Sequence, residues 1–221
     1  MRRNWSRSLG AGFLVLVALC VAGCINPIVD SWSGETVNDA LVTYQGVTYD
    51  IATLQTMNIA PGDYQVIVGS PNHHPVLTTI TVGPQDVPPI RLIPYRRVYS
   101  PLVADAVLCR GIDMQGTPIG PGWSYTPLDA QVVAWVRWNI NDVNLHYQVT
   151  RWYRPDGMLY REDALPPFAG TPGSVSLISA PGLALQVSPG WNVPAPALLP
   201  GVWVVEVVID GSCAVKMSFS I

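Results

Sequence analysis

Proline and glycine set the limits on what this chain can fold into. Its 21 Pro and 19 Gly punctuate 221 residues, and beyond the N-terminal segment no stretch keeps a helical hydrophobic period. Short apolar or alternating runs recur instead between clusters of Pro, Gly, Asn and Asp, the pattern of antiparallel β-structure. The expected fold class is all-β, with two antiparallel β-sandwich domains. Hydrophobic residues make up 49% of the chain, enough apolar surface to build cores. Charged residues make up only 12%, about half the usual share. The single lysine, Lys216, argues against a polycationic surface for nucleic acid.

The N-terminus has its own pattern. Arg2, Arg3 and Arg7 precede an apolar run from Leu9 to Ile25, 17 residues long. That length is marginal for a bilayer core of ~30 Å. Within it stands Val21-Ala22-Gly23-Cys24. The combination of charge, length, small residues and Cys resembles the bacterial lipoprotein signal, although Leu is commoner than Val at the Val21 position. The resemblance implies a signal peptide, 1–23, cleaved before Cys24. It also implies a diacylglycerol thioether on the Cys24 sulfur and an acylated amino group, palmitate being a typical acyl chain. An uncleaved membrane helix is the alternative. The mature chain keeps 198 residues with 9 basic and 15 acidic side chains, a balance that disfavours charge-driven binding to acidic lipids. Lipid anchoring needs no basic patch, because two acyl chains suffice. Ile25 stands where lipoproteins kept at the inner membrane typically carry Asp. The implied location is therefore the cell membrane or, in a Gram-negative envelope, the outer membrane. Residues 24–35 read as anchor and short tether.

The stretch from Pro94 to Pro101 divides the rest into a small domain, 36–94, and a larger one, 97–221, each long enough for one core. In the small domain, Ala40–Tyr44 and Val47–Ile51 form an expected hairpin around Gln45-Gly46. Pro61-Gly62 reads as a type II turn into a strand alternating Tyr64, Val66 and Val68. Ser70–Pro75 then turns the chain into Val76–Val82. This block resembles the PEGA and carboxypeptidase-regulatory type of small β-sandwich, which carries a Pro-Gly-x-Tyr-x-Val strand and a Pro-Gly-Tyr-x-Pro turn. Asn72 replaces the usual turn Gly, which its tolerance of left-handed backbone allows, and His73 replaces the usual Tyr. The resemblance implies an extracytoplasmic accessory module without catalytic residues.

In the larger domain, Asp210-Gly211 is a strong two-residue turn signal. It pairs Val208 with Cys213, Glu206 with Val215, Val204 with Met217 and Val202 with Phe219. A second expected hairpin joins Gln131–Trp138 to Leu145–Tyr153 around Asn141-Asp142, placing Trp138 inward and Trp135 and Trp152 outward. The blocks Trp152–Gly157 and Pro200–Gly211 resemble bacterial immunoglobulin-like modules of envelope proteins, whose endings run Pro-Gly-x-Trp, strand, Asp-Gly, strand. That resemblance implies architecture and almost nothing of function.

Site chemistry is sparse. Cys20 and Cys24 belong to the signal region, which leaves Cys109 and Cys213 in an exported, oxidising setting. A disulfide between them is expected, closing about 105 residues and worth at most ~4–5 kcal/mol; two buried thiols are the alternative. His73 and His74 point apart if they lie on a strand, and only His146 remains, so no metal and no other cofactor is expected. There is no Gly-x-Ser-x-Gly, no glycine-rich phosphate loop, and the adjacent Glu162-Asp163 read as a solvated loop. The chain is therefore expected not to be an enzyme. Trp135, Arg137, His146 and Trp152 share one expected face, a candidate sugar-stacking surface, with cover by loops as the plain alternative. Arg151 and Glu206 stand alone on otherwise apolar faces and are expected to meet as a buried ion pair, unless each reaches water near a strand end.

The functional expectation is a non-catalytic, lipid-anchored envelope or surface protein with a structural or protein-binding role. Its partners are the membrane, through the anchor, and a protein or glycan of the envelope, with no nucleic acid. A carbohydrate-binding lipoprotein and an accessory subunit of a secretion or surface-layer complex are the alternatives.

Overall fold

The computed structural model describes residues 25–83, 87–171, 177–185 and 198–221. The expected signal peptide and Cys24 lie outside the described residues. The first unit holds β1 (Ile28–Asp30), β2 (Leu41–Tyr44), β3 (Val47–Asp50), helix α1 (Ile51–Thr56), β4 (Gly62–Ser70), β5 (His73–Val82) and β6 (Ile90–Leu92). Gln45 and Gly46 take φ of 49° and 81°, the left-handed pair that suits a two-residue hairpin turn. Asp50 ends β3 and caps α1: its carboxylate accepts from the Thr53 backbone N–H at 2.6 Å. Six residues are too few to show a helical period, so the expected strand through Ile51 gives way to this helix.

The sheet runs β3-β2-β4-β5, all antiparallel, while β1 and β6 pair in parallel. Alternation along β4 sends Val66 and Val68 inward and Gln65 and Ile67 outward. Inward residues of the sheet meet Leu54 of α1 and Ile28, Ile90 and Leu92 of the parallel pair in one core. Residues assigned to a tether are thus part of the first unit. Ile28 is buried in its core, and Asn26 donates to the Pro88 carbonyl at 2.8 Å and accepts from Thr81 N–H at 2.7 Å.

The second unit holds β7 (Arg96–Val98), β8 (Val103–Cys109), β9 (Gly111–Ile112), β10 (Pro118–Ile119), β11 (Gln131–Trp138), β12 (Gln148–Tyr153), β13 (Leu159–Ala164), β14 (Leu177–Ser179), β15 (Gly182–Ala184), β16 (Val202–Ile209) and β17 (Ser212–Ser220). One sheet runs β13-β12-β16-β17-β7; in the other, β11 pairs with β8, β14 and β15. Leu108, Val136 and Trp138 of the second face Trp152, Trp203 and Phe219 of the first across one core. Trp203 stacks on Phe219 with centroids 6.1 Å apart. The chain is all-β, and this half is a β-sandwich.

Two expected registers fail. β11 and β12 do not form a hairpin, because the chain between them crosses from one sheet to the other. Even-numbered residues of β12 then face the core: Gln148, Thr150 and Trp152 are buried. Polarity misled the assignment, since Gln148 and Thr150 are polar yet inside. In the β16–β17 hairpin Val208 does pair with Cys213, but a bulge follows and Val207 meets Val215. Ala214 is the extra residue. Beyond it Glu206 faces Lys216, Val204 faces Ser218 and Val202 faces Ser220, so Trp203, Val205 and Val207 form the inner face.

Candidate functional site

The two units meet where the β4–β5 turn packs against the connecting strand. Neighbouring side chains on a strand point to opposite faces, so His73 and His74 make separate contacts. The Asp30 carboxylate can only accept, so His73 Nε2 donates to it at 3.4 Å, while Nδ1 shares a hydrogen bond with Ser70 Oγ at 2.7 Å. Burial opposes ionisation of Asp30, but the N–H groups of Ser33 and Trp32, together with His73, outweigh it and hold the carboxyl below its usual range.

His74 points into the second unit. Ser218 Oγ spends its one proton on the Pro94 carbonyl at 2.6 Å, so it accepts from His74 Nε2 at 2.9 Å. Backbone bonds run alongside: His74 N–H donates to Ile93 O, and Ser218 N–H to Tyr95 O, both at 2.9 Å. Tyr95 meets the His74 ring edge-on at 4.5 Å and stacks on Trp123 at 5.4 Å. Burial of the imidazole, helped by His73, pushes the His74 pKa down to about 4. A serine and a histidine at this distance resemble a nucleophile and its base. Here the proton runs from His to Ser and on to a carbonyl, and both side chains are sealed from solvent. The chemistry of this pair is that of a clamp between units.

A row of charges crosses the outer face of the five-stranded sheet beside this clamp. Glu162, Arg151, Glu206, Lys216 and Arg97 are successive cross-strand partners. Arg151 Nε donates to Glu162 at 2.8 Å, Lys216 Nζ to Glu206 at 2.6 Å, and Tyr153 OH to Glu206 at 3.1 Å. At the end of the row Arg97 reaches Asp30 at 3.7 Å and Glu35 at 3.5 Å, and Lys216 lies 5.5 Å over Trp32 of the first unit. Burial opposes the charge on Lys216, but Glu206 outweighs it and raises its pKa. The expected buried pair of Arg151 and Glu206 is thus corrected. They are neighbours in register, but each bonds elsewhere, and the Arg151 side chain is 39% exposed, where solvent screens it.

The expected sugar-binding face does not assemble. Trp152 is in the core, and its Nε1 donates to Asp163. Trp135 lies on the outer side of the other sheet under the β9–β10 segment, donating to Gly116 O at 2.8 Å. Arg137 is exposed on β11. His146 sits between Asp210 at 2.7 Å and Asp142 at 3.3 Å; Asp210 chiefly, then Asp142, raises its pKa. The expected disulfide is also absent: Cys109 and Cys213 are free thiols. Cys109 lies on the outer side of one sheet with Val133 and Trp135 and donates to Gly111 O. Cys213 lies on the other sheet near Glu206 and Lys216, with the core between them, and burial pushes both thiols up. Among the described residues, no three His, Cys, Asp or Glu side chains gather as metal ligands.

No known family model matches the sequence, and no curated protein matches it. Among solved structures the chain is similar to a DUF3823 family protein from Bacteroides ovatus ATCC 8483, at 14% identity, with a TM-score of 0.28, covering 89% of this chain and 97% of that one.

Proposed function

We propose that this is a lipid-anchored, exported, non-catalytic protein of the cell envelope, whose two clamped units hold a binding surface for a protein partner in a fixed pose. The observation that carries the reading is the clamp. His74, Ser218 and the Pro94 carbonyl form a buried chain of hydrogen bonds between the unit that follows Cys24 and the sandwich beyond it. A hinge would let the second unit swing; a sealed junction transmits position from the anchor to the distal surface. The lipobox at Val21–Cys24 supports the anchor, and the likeness to PEGA and immunoglobulin-like modules supports an accessory, binding role. The glycan alternative loses its support with Trp152 in the core.

Fatty-acid labelling of cells expressing the wild type and Cys24→Ser, followed by crosslinking of intact envelopes and mass spectrometry, tests this reading. The expected result is label and recurrent cross-links to one envelope protein in the wild type, both lost in the variant. Undiminished labelling of Cys24→Ser overturns the anchor, and cross-links spread evenly over abundant proteins overturn the partner.

A further inference from the structure

The first unit leaves its core open at one end. A cleft of about 290 Å³ enters between the four-stranded sheet and the 57–59 segment. Its inner wall is Val42, Val66 and Val82, and its mouth is framed by Tyr44, Tyr64 and Met57. Tyr64 donates its hydroxyl to Ala60 O at 2.8 Å and meets Tyr44 edge-on at 5.7 Å. The rings therefore face the cleft while a hydroxyl stays paired at the rim.

We infer that this cleft receives an acyl chain carried by Cys24, an inference that rests on the lipid anchor proposed above. Ile25, the first described residue, lines the cleft. Cys24 precedes it by one peptide link, ~3.8 Å between Cα atoms, so a hydrocarbon on its sulfur would be tethered within reach of the cleft. The wall is almost wholly apolar and suits an unbranched chain. The volume lies at the small end of ligand pockets, roughly 300 Å³, and takes part of a long chain. A second cleft beside Ile25 mixes Ile28, Val37 and Ile51 with Thr36, Asn38 and Gln55; an acyl chain there would desolvate those three polar side chains. With one chain held, the first unit sits against the membrane in a set orientation.

The test compares two forms of the protein in the same detergent at the same concentration: the mature chain made without its signal peptide, so that Cys24 stays unacylated, and the lipidated wild type. The probe is the fluorescent fatty acid cis-parinaric acid. The unacylated form is expected to bind one probe per chain, and the lipidated form at least tenfold more weakly because its cleft is filled. Met57→Glu and Ile59→Glu, both at the cleft, are expected to weaken probe binding to the unacylated form at least tenfold. Leu77→Glu, at a position 72% exposed on β5, is expected to leave it unchanged. Circular dichroism checks that each variant is folded, and the comparison of the two wild-type forms stands without them. No probe binding to the unacylated form overturns the inference. Equal binding to both forms overturns the occupant, showing that the cleft takes free lipid. Fatty-acid labelling is read separately: an unlabelled wild type overturns the anchor, and the occupant with it, whatever the probe does.

Discussion

The second unit builds its core on rings, and the first does not. Trp138, Trp152, Trp203 and Phe219 are fully buried in the sandwich, whereas the first core is built from Val, Ile, Leu and Ala around one short helix. Large rigid side chains fill the space between two sheets. Small branched ones between the four-stranded sheet, the β1–β6 pair and the short helix leave a cleft at one end.

The strongest way to break this contrast is truncation. Trp203→Ala should cost about 3–5 kcal/mol, whereas Leu54→Ala, which borders an existing cleft, should cost about 2 kcal/mol, the low end for such a change. Urea denaturation of both variants checks the order. Equal losses would mean that the rings of the second core contribute no more than the aliphatic side chains of the first.

The clamp sharpens the contrast through pH. The His74 pKa is depressed in the folded state, so above pH 6.5 the residue costs nothing. As pH falls from 6.5 toward 4 the unfolded state takes up a proton that the folded state refuses. Stability should drop over that window by a total of about 3 kcal/mol. His74→Asn should flatten this part of the profile. His146 has the opposite sign. Its raised pKa adds stability that is fully present below its ordinary value and lost as pH rises through the raised one. Stability measured across pH in His74→Asn and His146→Gln separates the two, and matching profiles would refute the assignment.

The smallest effect lies inside the second core. Gln148 is buried, its Nε2 reaches Thr150 at 3.3 Å, and its Oε1 has no hydrogen-bond partner. An orphaned buried acceptor costs roughly 1–3 kcal/mol. Gln148→Met, close in volume, should therefore raise stability by about 1 kcal/mol in thermal or urea unfolding. A loss would show that the carbonyl is satisfied.

Turn chemistry was legible in the sequence, because it is local. Gln45-Gly46 and Asp210-Gly211 both fold as two-residue turns with positive φ, whereas the type II turn expected at Pro61-Gly62 does not form: Gly62 has φ of 157°, far from the ~80° of that turn, and opens β4. Pairing over longer distances was not. Side-chain parity on β12 was inferred from polarity, and Gln148 and Thr150 reverse it. On β17 the Ala214 bulge shifts the register by one residue, and nothing in Cys213–Val215 announces a bulge. The clamp was half legible. Adjacent His73 and His74 stood out as a pair that must point apart, but the partner of His74 is Ser218, 144 residues away.

The parallel pair of β1 and β6 has a mechanical consequence. The chain enters β1 at its N-terminus, and the connection to the second unit leaves β6 at its C-terminus. In parallel strands, tension between those two ends pulls them past each other along their length. The ladder from Ile28↔Ile90 to Asp30↔Leu92 is then loaded in shear, with the flanking bonds Ile90 N–H to Pro27 O and Ser31 N–H to Leu92 O, both 2.8 Å. These bonds share the force and must fail together, rather than opening one at a time like a zipper. A force pulling the sandwich away from the N-terminal end of β1 therefore meets its resistance in these three residue pairs.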